Sequence, residues 1–245
     1  MSFAHKKYWV IGASEGLGRA LSVGLAREGA EMIVSARNEA RLRDLLLQLP
    51  ATARALPFDV TDKAAVAQAV KDAGVLDGVI YAAGTYWPMA AGAWDQEAVE
   101  VMIETNFTGA ARCLGPVVRD FAARDQGHIV VIGSLSGFRG LRGAIGYGAS
   151  KAGVMHLAEN IQADLHRTNV KVQLINPGFI KTRLTDKNDF AMPFIMTPEQ
   201  AAQEVIEDMK SNRFQSNFPR PFSWLFRGGN FLPAPLFFRI FGAKE

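Results

Sequence analysis

The chain has 245 residues, of which 49% are hydrophobic and 21% charged, and its formal net charge is +3. That is enough apolar sequence for one buried core, and the Lys and Arg residues are scattered, not blocked, which excludes a nucleic-acid surface despite a pI of about 9.1. A single cysteine, Cys113, excludes an internal disulfide and fits a reducing, cytoplasmic setting, while His5, His128, His156 and His166 lack metal-ligand spacing, so no metal is expected.

Lys6-Lys7 precedes an apolar run too short for a signal peptide, and Tyr8–Ile11 reads as a first strand instead. Helical periodicity follows over Gly16–Glu28, then a strand at Met32–Ala36 and a helix over Glu39–Leu49. Ala53–Phe58, Gly78–Ala82, His128–Ile132 and Lys171–Ile175 read as short buried strands. Between them lie helical patterns at Lys63–Asp72, Glu97–Arg124 and Tyr147–Arg167, with Cys113 as a small apolar residue of the second. A further helix spans Thr197–Lys210, and residues 214–218 suggest a last short strand. Strands alternating with helices imply an α/β fold: a doubly wound, Rossmann-like parallel sheet in three α/β/α layers. No linker or repeat divides it, so residues 1–218 form one domain and 219–245 an extension of it. No stretch is long and apolar enough to span a bilayer.

The first strand runs into Gly12-Ala-Ser-Glu-Gly16-Leu-Gly18 and then the first helix. Glycines serve where the backbone turns tightly and approaches a phosphate, and the helix N-terminus beyond offers unpaired N–H groups to a pyrophosphate. The second strand ends at Ser35-Ala36-Arg37-Asn38 without a carboxylate. An acidic residue there would hold a ribose 2′-hydroxyl and arginine a 2′-phosphate, so Arg37, with Arg41 a turn later, favours NADP(H) over NAD(H). Glu15, inside the glycine turn, argues mildly the other way.

Tyr147 and Lys151 stand at i, i+4, on one helix face. A phenol is a poor acid and base near neutrality, and an adjacent ammonium should pull its pKa toward the working range. So tuned, Tyr147 could exchange a proton with a carbonyl or alcohol oxygen. Ser134 directly follows a buried strand, at the sheet edge where the crevice of such folds lies; Ser136 and Ser150 are its nearest competitors.

Taken together, these motifs resemble the short-chain dehydrogenase/reductase family, from about Lys6 to the Thr197–Lys210 helix. Gly12, Gly16 and Gly18 are followed in order by Asp59, Ala82-Ala83-Gly84, Asn106, Ser134, Tyr147, Lys151 and Pro177-Gly178 with Thr182. The resemblance implies that Asn106, Ser134, Tyr147 and Lys151 are catalytic. It also implies a cofactor site of Gly12, Ser14, Gly16, Leu17, Gly18, Arg37, Asp59, Val60, Ala82, Ala83, Gly84, Tyr147, Lys151, Pro177, Gly178, Ile180 and Thr182. Within it Asp59 would cap the adenine, Asn106 would hold a water near Lys151, and Pro177–Thr182 would close over the nicotinamide. Tyr81 replaces an asparagine common in the family, which leaves one structural hydrogen bond unassigned.

The segment 179–197 carries Phe190, Met192, Phe194, Ile195 and Met196, an apolar lid that suits an apolar small-molecule substrate. The extension holds Phe222, Trp224, Leu225, Phe226, Phe231, Leu232, Leu236, Phe237, Phe238, Ile240 and Phe241, punctuated by Arg220, Arg227, Arg239 and Lys244. It reads as a lid, a contact in a homodimer or homotetramer, or a peripheral membrane anchor. Prolines 219, 221, 233 and 235 exclude one long helix. The expected activity is NADP(H)-dependent hydride transfer to or from a carbonyl or secondary alcohol. A non-catalytic dinucleotide-binding regulator and a membrane-surface lipid-modifying reductase are the alternatives.

Overall fold

The computed structural model describes residues 2–242, the side chain of Arg227 excepted; Lys244 and the rest of the last three positions lie outside the described residues. One seven-stranded sheet runs in the order β3-β2-β1-β4-β5-β6-β7. Its strands are β1 Lys7–Ile11, β2 Glu31–Ser35, β3 Arg54–Ala55, β4 Gly78–Tyr81, β5 Gly127–Ile132, β6 Val170–Pro177 and β7 Gln215–Phe218. Every pairing is parallel. The helices are α1 Gly16–Arg27, α2 Glu39–Leu46, α3 Lys63–Ala73, α4 Gln96–Ile103, α5 Gly109–Arg124, α6 Ile145–Leu165, α7 Pro198–Lys210, α8 Arg220–Gly229 and α9 Ala234–Phe241.

Alternation along β1 divides the core. Tyr8 and Val10 pack with Leu21, Leu25, Leu42 and Val205 under α1, α2 and α7, and Trp9 and Ile11 pack with Val66, Cys113 and Val154 under α3, α5 and α6. Strand order reverses between β1 and β4, which places a crevice at the carboxyl ends of those strands.

Two expected elements differ, and the extension agrees with the reading that its prolines exclude one long helix. The strand expected over Ala53–Phe58 is in register with β2 only at Arg54–Ala55, although Leu56 N and Phe58 N still donate to the Val34 and Ala36 carbonyls. The helix expected over Glu97–Arg124 is broken by a π-helical turn, Glu104–Thr108. The extension folds as two short helices, α8 and α9, with Pro233 as the N-cap of the second.

Candidate active site

The turn after β1 is built around Gly12, whose φ of +98° an L-residue adopts only with strain. A Cβ on Gly18 would lie 2.1 Å from the Gly12 carbonyl oxygen, so α1 packs directly on the turn. The N-cap of α1, Glu15, makes no side-chain cap bond. The first-turn amides of α1 are thus left without a side-chain partner, the state in which a helix N-terminus receives an anion.

These groups open onto a cleft of about 550 Å³. Of the expected cofactor residues, every one except Asp59 lines it, from Gly12, Ser14, Gly16, Leu17 and Gly18 through Arg37 and Val60 to Ala82–Gly84, Tyr147, Lys151, Pro177, Gly178, Ile180 and Thr182. The Asp59 carboxylate accepts from Thr61 N and Oγ1 at 2.9 and 2.8 Å and stands 3.6 Å from the Arg37 guanidinium; Phe58 and Val60 line the cleft on either side of it. Glu15 is not a bare charge: it accepts from Arg41 at 2.6 Å and from Arg183 at 2.5 Å.

Asn106 sits in the π turn and is fully buried. Its Nδ2 donates to the Thr85 carbonyl at 3.0 Å and to Ser150 Oγ at 2.9 Å, and its Oδ1 accepts from Thr85 N at 2.7 Å. It therefore ties the loop after β4 to α6 and is not part of the cleft lining. Tyr81, where the resemblance would place an asparagine, has a hydrogen bond of its own: the phenol donates to the Thr105 carbonyl at 2.6 Å.

Ser134 caps the turn after β5 and shares a 2.9 Å hydrogen bond with Ser136 Oγ. Lys151 is buried and donates to the Ile132 carbonyl at 2.9 Å, with its Nζ 5.9 Å from the centre of the Tyr147 ring. Burial lowers the Lys151 pKa to about 8. The Tyr147 phenol is raised to about 12, first by burial; the Ser134 hydroxyl opposes the rise and Tyr86 adds to it. This corrects the sequence expectation: burial outweighs any pull of Lys151, whose Nζ stands 5.9 Å from the ring centre, and the phenol moves away from neutrality.

A second cleft of about 430 Å³ adjoins the first and shares Ser134, Tyr147, Gly178, Leu184 and Thr185 with it. Leu135, Leu141, Phe179, Phe190, Phe222, Phe226 and Phe241 supply its apolar lining. The segment 179–197 is pinched at its base, where Lys181 N donates to Met196 O at 2.8 Å and Met196 N to Phe179 O at 3.0 Å. A hydroxyl pair thus stands where a polar, glycine-lined cleft meets an aromatic one, the placement that lets an oxygen of a bound compound meet two donors.

A family model described as short chain dehydrogenase matches residues 6–192. The chain belongs to the short-chain dehydrogenase family. An uncharacterized oxidoreductase of Myxococcus xanthus is 37% identical over 235 residues, covering 93% of each chain. Another, from Staphylococcus epidermidis, is 30% identical over 201 residues, 80% of this chain and 87% of the relative. A solved structure of serine dehydrogenase complexed with NADP+ superposes with a TM-score of 0.79 at 25% identity, covering 86% of this chain and 94% of that one. An actinorhodin polyketide ketoreductase variant with NADPH gives 0.76 at 26% identity, covering 87% and 95%.

This short-chain dehydrogenase, an oxidoreductase by family, also has site residues that the sequence pattern did not single out. Tyr86 packs edge-on to Tyr147 with ring centres 4.9 Å apart, and its hydroxyl donates to Asn188 Oδ1 at 2.8 Å. Arg183 lines the polar cleft beside Thr182; its adjacency to a named motif residue was the available signal. For Tyr86 the signal was its place shortly after Ala82-Ala83-Gly84. Ser136, weighed only as a competitor of Ser134, lines the aromatic cleft.

Proposed function

We propose that this short-chain dehydrogenase is an NADP(H)-dependent oxidoreductase that acts on a carbonyl or secondary alcohol of an apolar small molecule, with Tyr147 as general acid/base. The observation that carries the reading is that Ser134 and Tyr147 line both clefts. The polar cleft suits a dinucleotide: uncapped first-turn amides of α1 stand ready for a pyrophosphate, and Arg37 and Arg41 line the wall where β2 ends without a carboxylate. When bound, the nicotinamide supplies or accepts the hydride.

The chain's own residues do the rest. Ser134 and Tyr147 hydrogen-bond the substrate oxygen and stabilise the negative charge that grows on it. A phenol raised to about 12 stays protonated at neutral pH, which suits giving its proton to that oxygen, the reducing direction. Lys151 would hold the nicotinamide ribose, Gly178, Ile180 and Thr182 would close over the ring, and Asn106 fixes the loop and helix between which these groups stand. Residues 1–218 act as the catalytic domain, with 179–197 as its lid, and 219–245 are a hydrophobic extension of that domain.

Self-association into a dimer or tetramer through α5 and α6 belongs to the same reading, supported by the exposed small residues Ala149, Ala152 and Ala163 on α6. Peripheral contact with a membrane is the second reading. It is supported by the exposure of Trp224, Leu225, Phe231, Leu236, Phe238 and Ile240, although no helix among the described residues is long and apolar enough to cross one. Liposome flotation that survives removal of 219–245 would sink that second reading.

The test of the main reading is a titration with NADPH and NADH, followed by nicotinamide fluorescence. NADPH should bind more tightly, and Arg37→Ala should weaken it about tenfold or more while leaving NADH unchanged. Preference for NADH, or equal loss of both, would overturn it.

A further inference from the structure

Of the two cations in the loop between Ser134 and Tyr147, Arg142 lines the aromatic cleft and Arg139 does not. Arg139 is half-buried, and its Nη1 donates to the carbonyl of Gly229 and, at 2.8 Å, to that of Leu232. Gly229 ends α8 and Leu232 lies in the turn before α9. The guanidinium therefore joins Leu232 N, which donates to the Gly229 carbonyl at 3.2 Å, at the negative end of the α8 dipole, and ties that end to the turn before α9. It also lies 4.1 Å over the ring of Phe237. Among the described residues no carboxylate pairs with it, so these contacts with the extension are what hold it.

Phe237 transmits the clamp to the aromatic cleft. It is 2% exposed, and its ring stacks on Phe241 at 4.7 Å, which lines the cleft with Phe222 and Phe226. The latter two are one helical turn apart on α8, with ring centres at 4.9 Å, while Trp224 and Leu225 between them face outward. Phe222 also meets Phe179 and Phe194 of the segment 179–197, at 5.8 and 5.9 Å. Apart from Phe237, the large apolar side chains of α8 and α9 are half-buried or exposed among the described residues. Burial alone holds these helices weakly, which gives the Arg139 contacts their weight.

We infer that Arg139 is a positioning residue that seats the C-terminal extension as the far wall of the substrate cleft, and that this wall selects carbonyl compounds and alcohols bearing an extended apolar chain. The cleft, at about 430 Å³, falls within the range of about 300–1,000 Å³ usual for small-molecule sites. Beside its hydroxyls, those of Ser134, Ser136, Tyr147, Tyr86 and Thr185, the lining carries Arg142 and Asn188 and is otherwise aromatic and aliphatic. An oxygen bonded at Ser134 and Tyr147 therefore leaves the remainder of the molecule against Phe222, Phe226 and Phe241. The inference rests on the oxidoreductase reading for its chemistry, but not for its geometry.

The experiment compares the wild type with Arg139→Ala, Arg139→Lys and Phe237→Leu in two assays. The first is NADPH-dependent reduction of straight-chain aldehydes from propanal to decanal; the second is equilibrium dialysis of radiolabelled 1-decanol, which needs no turnover. In the wild type kcat/KM should climb with chain length. Arg139→Ala and Phe237→Leu should lose about tenfold or more of it on decanal, through KM, and leave propanal unchanged. Arg139→Lys should recover part of the loss, and decanol retention should follow the same order. Equal effects on propanal and decanal, or decanol retention indifferent to these substitutions or lacking in the wild type, overturn the inference. Arg139-dependent decanol retention without reduction of any aldehyde would uphold the wall and count against the catalytic reading.

Discussion

Lys151 donates to the backbone carbonyl of Ile132 at 2.9 Å and stands 5.9 Å from the centre of the Tyr147 ring. The two side chains share a helix face, yet the lysine is anchored at the end of β5, and burial sets the pKa of each. Burial penalises the charged form, which for lysine is the protonated one and for tyrosine the deprotonated one, so the two shift in opposite directions.

A pH profile follows from this pair. Lys151, lowered to about 8, is charged below that pH and neutral above it. If its charge helps to hold the nicotinamide ribose, kcat/KM for carbonyl reduction should be highest below pH 8 and fall as pH rises through about 8. Lys151→Arg, charged throughout, should be slower but should lack that fall. A limb unchanged in Lys151→Arg would assign it to another group.

His128 predicts an acid-sensitive core. Its Nδ1 meets the Tyr8 hydroxyl and its Nε2 meets Gln173 Oε1, each at 2.8 Å. Gln173 Nε2 already donates to backbone carbonyls, and burial keeps the Tyr8 phenol protonated, so the network is complete with a neutral imidazole whose Nε2 carries the proton. Burial, with Lys171 and Lys6 nearby, lowers the pKa from 6.5 to about 3, against the hydrogen bond that Nε2 donates to Gln173. Between those values the unfolded chain binds a proton that the fold does not, so stability falls on acidification through this window. Urea denaturation should lose about 2 kcal/mol from this group between pH 6.5 and pH 5, and His128→Gln should flatten that slope. An unchanged slope in the variant would exclude His128 as its source.

Glu15 places a carboxylate between Arg41 and Arg183 at the mouth of the polar cleft. Glu15→Gln keeps a hydrogen-bond acceptor and removes the charge, so NADPH should bind about two- to fivefold more tightly at low salt. The gain should shrink as ionic strength rises, and NADH affinity should stay constant. Weaker NADPH binding would mean that the carboxylate orients the arginines more than it neutralises them.

Gly109, the first residue after the π turn, is matched to Tyr81. A Cβ there would lie 2.8 Å from both the Tyr81 hydroxyl and Val60 Cγ2. Gly109→Ala should cost about 1–3 kcal/mol in urea unfolding by overpacking. Tyr81→Phe should cost about 1–3 kcal/mol by orphaning the Thr105 carbonyl. The double variant should lose less than the sum, since removal of the hydroxyl makes room for the methyl group.

Much of the molecule was readable from local pattern. Buried strands such as Gly78–Tyr81 are short apolar runs bounded by turn residues, and the glycine turn announces itself because only glycine tolerates its φ and its close contacts. Readings failed where distant residues decide the outcome. The π turn at Glu104–Thr108 looks like ordinary helix in a one-dimensional pattern; its Thr105 carbonyl is taken by Tyr81 from another strand. The pKa direction of Tyr147 failed for the same reason, since spacing shows that Lys151 is near but not that the phenol is buried. Likewise the extension was recognisably apolar, yet its seating depends on Arg139, a residue without any motif of its own.

The most direct test of the central claim is Tyr147→Phe, assayed for NADPH binding by nicotinamide fluorescence and for carbonyl reduction by NADPH oxidation. The account predicts NADPH binding close to the wild type and turnover lower by about 10²–10⁴-fold, because the ring stays in place and only the proton donor is lost. Turnover near the wild-type rate with binding intact would contradict it.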